Sequence, residues 1–248
     1  MSIESHEDLE GLKRIGRIVA EVLRAMREAV RPGITTAELD AIAARELAAR
    51  GSQSSPGLVY GFPGACCISV NDEVVHGVPG GRMISAGDLV KLDLTAQKDG
   101  YVADAAISVP VPPVDAATAR LARCAERAFR QAMRFARSGN KVSAIGASVE
   151  REVRRSGFDV VRELCGHGVG RTIHESPQVP NYYDPSDRQL LTEGLVITVE
   201  PIITAGRDGI RTDADGWTIR TLDGARSAHF EHSLVITRKG PILLTVSN

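Results

Sequence analysis

The chain has 248 residues, 43% hydrophobic and 25% charged, which supplies apolar material for a sizeable core and excludes global disorder. Thirty Lys and Arg against thirty-one Asp and Glu leave a net charge of −1, so bulk electrostatic binding of DNA or RNA is excluded and only a local basic patch remains open. No apolar run approaches the roughly 20 residues of a membrane helix. The acidic start Met1 to Glu10 lacks the regions of a signal peptide, and the four cysteines show no C-x-x-C spacing, so a cytoplasmic protein with reduced thiols and no membrane contact is expected.

In chain order, Leu9, Leu12, Ile15, Val19, Val22, Leu23, Met26 and Val30 recur at three- and four-residue steps, predicting a helix over 9–30 that Pro32-Gly33 ends. Thr35 and Glu38 form a capping box for a second helix reaching Gly51. The Gly- and Ser-rich segment 51–64 reads as a loop. Strands are predicted at 67–70, 89–96 and 101–111, the last two joined by the hairpin signal Lys98-Asp99-Gly100. Helices over 116–137 and 143–155 precede a β-rich stretch from Asp159 onward. No internal repeat or flexible linker interrupts the chain, so one domain over 1–248 is expected.

If Asp99-Gly100 is a two-residue turn, Asp93 faces Ala106 and Thr95 faces Asp104. Asp93 and Asp104 are then diagonal neighbours on one sheet face, roughly 7 Å apart. Two inward anions repel and cost several kcal/mol to desolvate unless neutralised, which a metal ion does; a solvated face is the alternative. His167 lies between glycines in Cys165-Gly-His-Gly-Val-Gly170, a string that lets backbone approach closely on both sides. His174, in Thr-Ile-His-Glu-Ser-Pro, reads alone as a structural histidine more readily than as a functional one. Glu200 ends the run Leu-Val-Ile-Thr-Val before Pro201, and Glu231 precedes Leu-Val-Ile-Thr. Each alone also fits an edge-strand acid that opposes aggregation. Together, four carboxylates and one imidazole suit a pair of Mn, Fe or Co ions better than a structural zinc. Such pairs sit roughly 3.5–4 Å apart and activate water.

The series Asp93, Asp104, His167, Glu200, Glu231 resembles the metal ligands of the bacterial-type (type I) methionine aminopeptidases. The strings Asn71-Asp-Glu-Val-Val-His-Gly-Val-Pro79, Lys91-Leu-Asp-Leu-Thr95, His174-Glu-Ser-Pro-Gln-Val179, Thr198-Val-Glu-Pro201 and Phe230-Glu-His-Ser233 agree, in order, over most of the chain. The resemblance implies an α+β fold of the pita-bread type, with α/β/α layers and pseudo-two-fold halves around a curved, mainly antiparallel sheet. It implies two divalent ions per chain, Co, Mn or Fe(II) with Zn also admitted, and removal of the initiator methionine before a small second residue of nascent peptides.

Carried over by position, the resemblance makes Asp93 a ligand of one ion, Asp104 and Glu231 ligands of both, and His167 and Glu200 ligands of the other. Glu200 is also the general base, His174 the donor to the scissile carbonyl, and His76 a contact near the scissile amide. Phe62, Cys67 and Trp217 fall at positions of the methionine pocket, together with Val59 and Ile173, where the family commonly has an aromatic residue and a Phe. Ala105-Ala106 replaces small hydroxyl residues, and His229 stands where Gln is usual, changes expected to alter metal affinity.

Arg120, Arg123, Arg127, Arg130, Arg134 and Arg137 step by three and four, as one helical face. That stripe reads either as a solvated face or as a surface for transient docking on ribosomal RNA. An X-Pro aminopeptidase or prolidase shares the five ligands, but those relatives usually carry an added N-terminal domain, for which the roughly 60 residues before the β-rich block leave no room. The absence of a large insertion between His174 and Glu200 disfavours type II enzymes. A catalytically silent binding relative typically loses ligands, whereas all five are present here, and a monomer is expected.

Overall fold

In the computed structural model, which describes residues 1–246, helix α1 (His6–Ala29) starts three residues before the apolar periodicity does. The cause is a capping box that the periodicity does not reveal. Ser5 Oγ accepts from the Asp8 N–H, and the Asp8 carboxylate accepts from the Ser5 N–H. The predicted box of Thr35 and Glu38 opens α2 (Thr36–Ala49). β1 (Gln53–Ser54) and a short helix α3 (Ser55–Tyr60) then occupy part of the segment read as loop. Pro56 in the first turn suits a helix start, and Gly61, at φ 72°, ends it.

β2 (Cys67–Val70) and β3 (Glu73–Val75) lead to a long hairpin, β4 (Leu89–Lys98) and β5 (Tyr101–Pro110). Asp99 and Gly100 turn it with φ of 52° and 77°, the paired positive values of a type I′ turn. The register is the predicted one, Asp93 opposite Ala106 and Thr95 opposite Asp104.

Asp115 caps α4 (Ala116–Ala132), and α5 (Val142–Arg155) follows. α4 ends earlier than its periodicity predicts, because three-residue backbone bonds from Arg134 to Gln131 and from Phe135 to Ala132 tighten the chain into a turn. Arg134 and Arg137 therefore lie beyond the helix, while Arg127 pairs with Glu152 of α5 and Arg130 with Glu126. The arginine stripe is broken rather than continuous.

The remaining strands are β6 (Asp159–Val160), β7 (Cys165–Gly168), β8 (Glu175–Pro180), β9 (Val196–Val199) and β10 (Ile202–Thr204). β11 (Ile210–Thr212), β12 (Ile219–Thr221), β13 (Ser227–His229), β14 (Glu231–Val235) and β15 (Ile242–Leu243) complete them. Among the described residues every strand pair is antiparallel. The main sheet runs β1-β4-β5-β14-β9-β7-β8, with β2 on β4 and β15 on β14. β13-β10-β6 and β11-β12-β3 form two smaller sheets.

Two apolar cores flank the junction of β5 with β14. One joins α1 and α2 to the hairpin through Leu12, Ile15, Leu39, Leu92 and Leu94; the other joins α4 and α5 to β9 and β14 through Leu121, Phe129, Val149, Ile197 and Leu234. Each such side chain contributes about 1.5–3 kcal/mol by leaving water. The helix pairs are thereby held against the sheet. No helix among the described residues is long and apolar enough to cross a membrane.

Candidate metal centre and substrate cavity

Five neighbouring strands, β4, β5, β14, β9 and β7, each bring one acid or imidazole to a shared cavity. These are Asp93, Asp104, Glu231, Glu200 just past the end of β9, and His167. Residues up to 138 positions apart in sequence, Asp93 and Glu231, are thus collected by sheet order. His167 Nε2 lies 3.9 Å from Asp104 Oδ2 and 3.5 Å from Glu200 Oε1. Its Nδ1 is 2.8 Å from the Gly168 carbonyl. A proton donated there leaves the Nε2 lone pair free for a metal. The flanking glycines are needed for this close packing, since a Cβ on Gly166 would sit 2.7 Å from the Thr198 carbonyl oxygen and one on Gly168 2.2 Å from that of Ser176.

Thr198 is a site residue that sequence reading passed over. Its Oγ1 accepts from the His167 N–H at 3.0 Å and donates to Glu200 Oε1 at 2.8 Å, linking the imidazole of β7 to the acid after β9. The available signal was a hydroxyl inside the apolar run Leu-Val-Ile-Thr-Val, two residues before Glu200 and so on its face of the strand.

The electrostatics call for a cation. Burial pushes the Asp93, Glu200 and Glu231 carboxyls well above the ordinary range, and their mutual repulsion pushes further. Burial raises Asp104 to about 6. The residues lining the cavity include no Lys or Arg, and Asp104 Oδ1 and Glu231 Oε1 are buried without a hydrogen-bond partner. Four acids gathered with no protein cation and with unpartnered oxygens fit divalent ions. Two overlapping groups have donor atoms within 4.8 Å of one another, Asp104 with His167 and Glu231, and Glu200 with His229 and Glu231. His229, expected only to modify the site from outside, lies inside this cluster.

His76 and His174 stand at the exposed rim of the same cavity. His76 adopts φ 56°, a left-handed backbone that costs a non-glycine residue about 1–3 kcal/mol. Desolvation lowers both pKa values, and the neighbouring His167, its ring centroid 4.4 Å away, lowers His174 further. Tyr60 Oη lies 2.7 Å from His174 Nδ1, a partner that sequence reading missed because α3 was read as loop. A hydroxyl that donates to Nδ1 leaves the ring proton on Nε2.

The apolar wall is formed by Phe62, Cys67, Ile173 and Trp217, with the Phe62 and Trp217 rings 5.3 Å apart at 87°. Val59 is a correction. It is 54% exposed and does not line the cavity. Successive helical residues point about 100° apart, so α3 turns Val59 to solvent and Tyr60 to the cavity. The cavity volume is about 190 Å³. That is below the roughly 300–1,000 Å³ of drug-sized sites and suits one amino-acid side chain.

Residues 10–238 match the model of metallopeptidase family M24. The chain belongs to this family. Within M24 it is 42% identical over 247 residues to methionine aminopeptidase 2 of Bacillus subtilis, covering 99% of each chain. The methionine aminopeptidase structure from Thermotoga maritima superposes with TM-score 0.95 at 34% identity, covering 99% of each chain. The prolidase from Pyrococcus furiosus shares the fold, with TM-score 0.79 at 22% identity, but this chain spans only 66% of it. This M24 chain therefore has the pita-bread fold and groups with the methionine aminopeptidases, metal-dependent hydrolases that remove N-terminal methionine.

Proposed function

We propose that this chain, acting as one catalytic domain over 1–248, removes the initiator methionine from nascent proteins and peptides whose second residue is small. The observation that carries the reading is the convergence of Asp93, Asp104, His167, Glu200 and Glu231 on a small cavity whose other wall is Phe62, Cys67, Ile173 and Trp217. Full-length similarity to methionine aminopeptidases supports it over the X-Pro reading.

The five residues would hold two divalent ions, Co, Mn or Fe(II), with Zn also accommodated. When bound, the ions supply Lewis-acid polarisation and an acidified water. Glu200, oriented by the Thr198 hydroxyl, takes the proton of the attacking water as general base. His174, protonated on Nε2, donates to the scissile carbonyl oxygen as charge develops there. His76 stands near the scissile amide and assists the leaving amine. The Phe62 and Trp217 rings take up the thioether, whose sulfur gains from aromatic contact.

The protein is read as a cytoplasmic monomer that meets peptides near the ribosome. Support for docking on ribosomal RNA is limited to the arginines of α4, where ion pairs of Arg127 and Arg130 subtract from the charge. Charge reversal at Arg120, Arg123 and Arg134 that leaves ribosome co-sedimentation unchanged overturns that part.

Turnover of Met-Ala-Ser and Ala-Pro-Ser by stripped protein refilled with Mn, Fe or Co tests the main reading, beside Glu200→Ala. Cleavage of the first alone, lost in the variant, is expected. Cleavage of the second alone moves the protein to the X-Pro class, and cleavage of neither favours a silent binding relative.

A further inference from the structure

We propose that His229 is itself a metal ligand, so that Glu200, His229 and Glu231 form a donor triad sharing Glu231 with the triad of Asp104, His167 and Glu231. The inference rests on the metal-dependent reading above and extends its ligand set by a second imidazole.

His229 is 2% exposed, and neither ring nitrogen has a hydrogen-bond partner. An imidazole that leaves water without a partner is costly, so its position requires a use. Nε2 lies 3.5 Å from Glu231 Oε2 and 3.7 Å from Glu200 Oε2. Those separations are too long for hydrogen bonds. They lie at or within a few tenths of an ångström above the spacing of donors gathered around one ion, because atoms each about 2.0–2.2 Å from a common metal lie roughly 3–3.5 Å apart. His167 keeps the same relation to its carboxylates, at 3.5 and 3.9 Å.

The backbone of His229 is pinned on both sides. Its N–H donates to Ser108 Oγ at 2.9 Å, and its carbonyl accepts from the same hydroxyl at 2.8 Å. Ring position is thereby tied to β5, the strand that carries Asp104. Where relatives of the resembled type carry Gln, this chain offers a nitrogen donor in place of an amide. A second imidazole makes the donor set less oxygen-rich and shifts preference from Mn toward Zn and Co.

The test loads the full chain, with nitrogen-labelled histidine, with spin-active cadmium and counts the imidazoles that show cadmium–nitrogen scalar coupling. Coupling at two histidines, His167 and His229, is expected. His229→Gln should retain the first and lose the second, and should lose at least 10-fold in Zn affinity with a smaller loss for Mn. Coupling at His167 alone overturns the proposal and leaves the metal reading intact, whereas coupling at neither overturns both. The count in the unsubstituted protein does not depend on any variant folding.

Discussion

Tyr60 Oη sits 2.7 Å from His174 Nδ1, joining the end of α3 to a loop 114 residues later in the chain. The contact ties the rim of the cavity to the residue proposed to polarise the scissile carbonyl. A hydroxyl donated to Nδ1 stabilises the neutral ring and keeps its proton on Nε2.

Tyr60→Phe should therefore lower kcat by about 3- to 10-fold, the ~0.5–1.5 kcal/mol of one hydrogen bond, with little change in KM. The acid limb of the pH–rate profile should move up as well. His174 already lies below the ordinary histidine value through burial and the neighbouring His167, and loss of the bond to its neutral form lets it rise. Steady-state kinetics from pH 5 to 8 reads both effects.

Metal removal should cost less stability in mild acid than at neutral pH. Without ions, the folded state holds protons on buried acids that the unfolded chain has released: Asp104 moves from 3.8 to about 6, and Asp93, Glu200 and Glu231 also rise. A carboxyl raised on folding loses stability as pH climbs from its unfolded to its folded value. Buried histidines lowered on folding, His229 to about 3 and His232 to about 4, act in the opposite sense in both forms, so the acids are read from the effect of chelation at each pH. The melting-temperature loss on chelation should be smaller at pH 5 than at pH 7.5, because without ions the acids are protonated more readily at pH 5 and because acid competes with the ions for the ligands in the loaded protein. Thermal melts with and without chelator at the two pH values decide it.

Thr198→Val removes the hydroxyl that accepts from the His167 N–H and donates to Glu200. The residue is fully buried, so the change strands a backbone donor at a cost of about 1–3 kcal/mol. Denaturant unfolding should report that loss, and kcat should fall with it because Glu200 is no longer oriented. A stability loss with unaltered kcat would leave Thr198 a structural role only.

Phe62 and Trp217 line the cavity and Val59 does not, so the proposed methionine pocket depends on the two rings. Trp217→Ala should raise KM for Met-Ala-Ser roughly 2- to 10-fold, matching the ~0.3–1.5 kcal/mol of a sulfur–aromatic contact. Val59→Ala should leave it within about 2-fold, as expected for an exposed side chain with no packing role.

Much of this protein was legible in residue order. Turn chemistry at Asp99-Gly100 sets the hairpin register, because positive φ at both positions admits only a two-residue loop of that hand. The pairing of Asp93 and Asp104 on one face follows from the period of two along a strand. The Gly-His-Gly string announces the close backbone approach around His167 for a related reason: steric demand is local and is written in which residue lacks a Cβ.

Tertiary structure alone decided the rest. A helix of six residues in a Gly- and Ser-rich segment lies below the length at which periodicity is readable, so Tyr60 and Val59 could not be sorted into cavity and solvent. Thr198 and His229 acquire their roles only when β9 and β13 come beside strands distant in sequence. Which polar side chain is left unpartnered depends on neighbours that the chain order does not specify. Sequence determines each strand's own alternation and turns; the identity of the atoms across the cavity is set by sheet order, a property of the packed cores that hold β5 against β14.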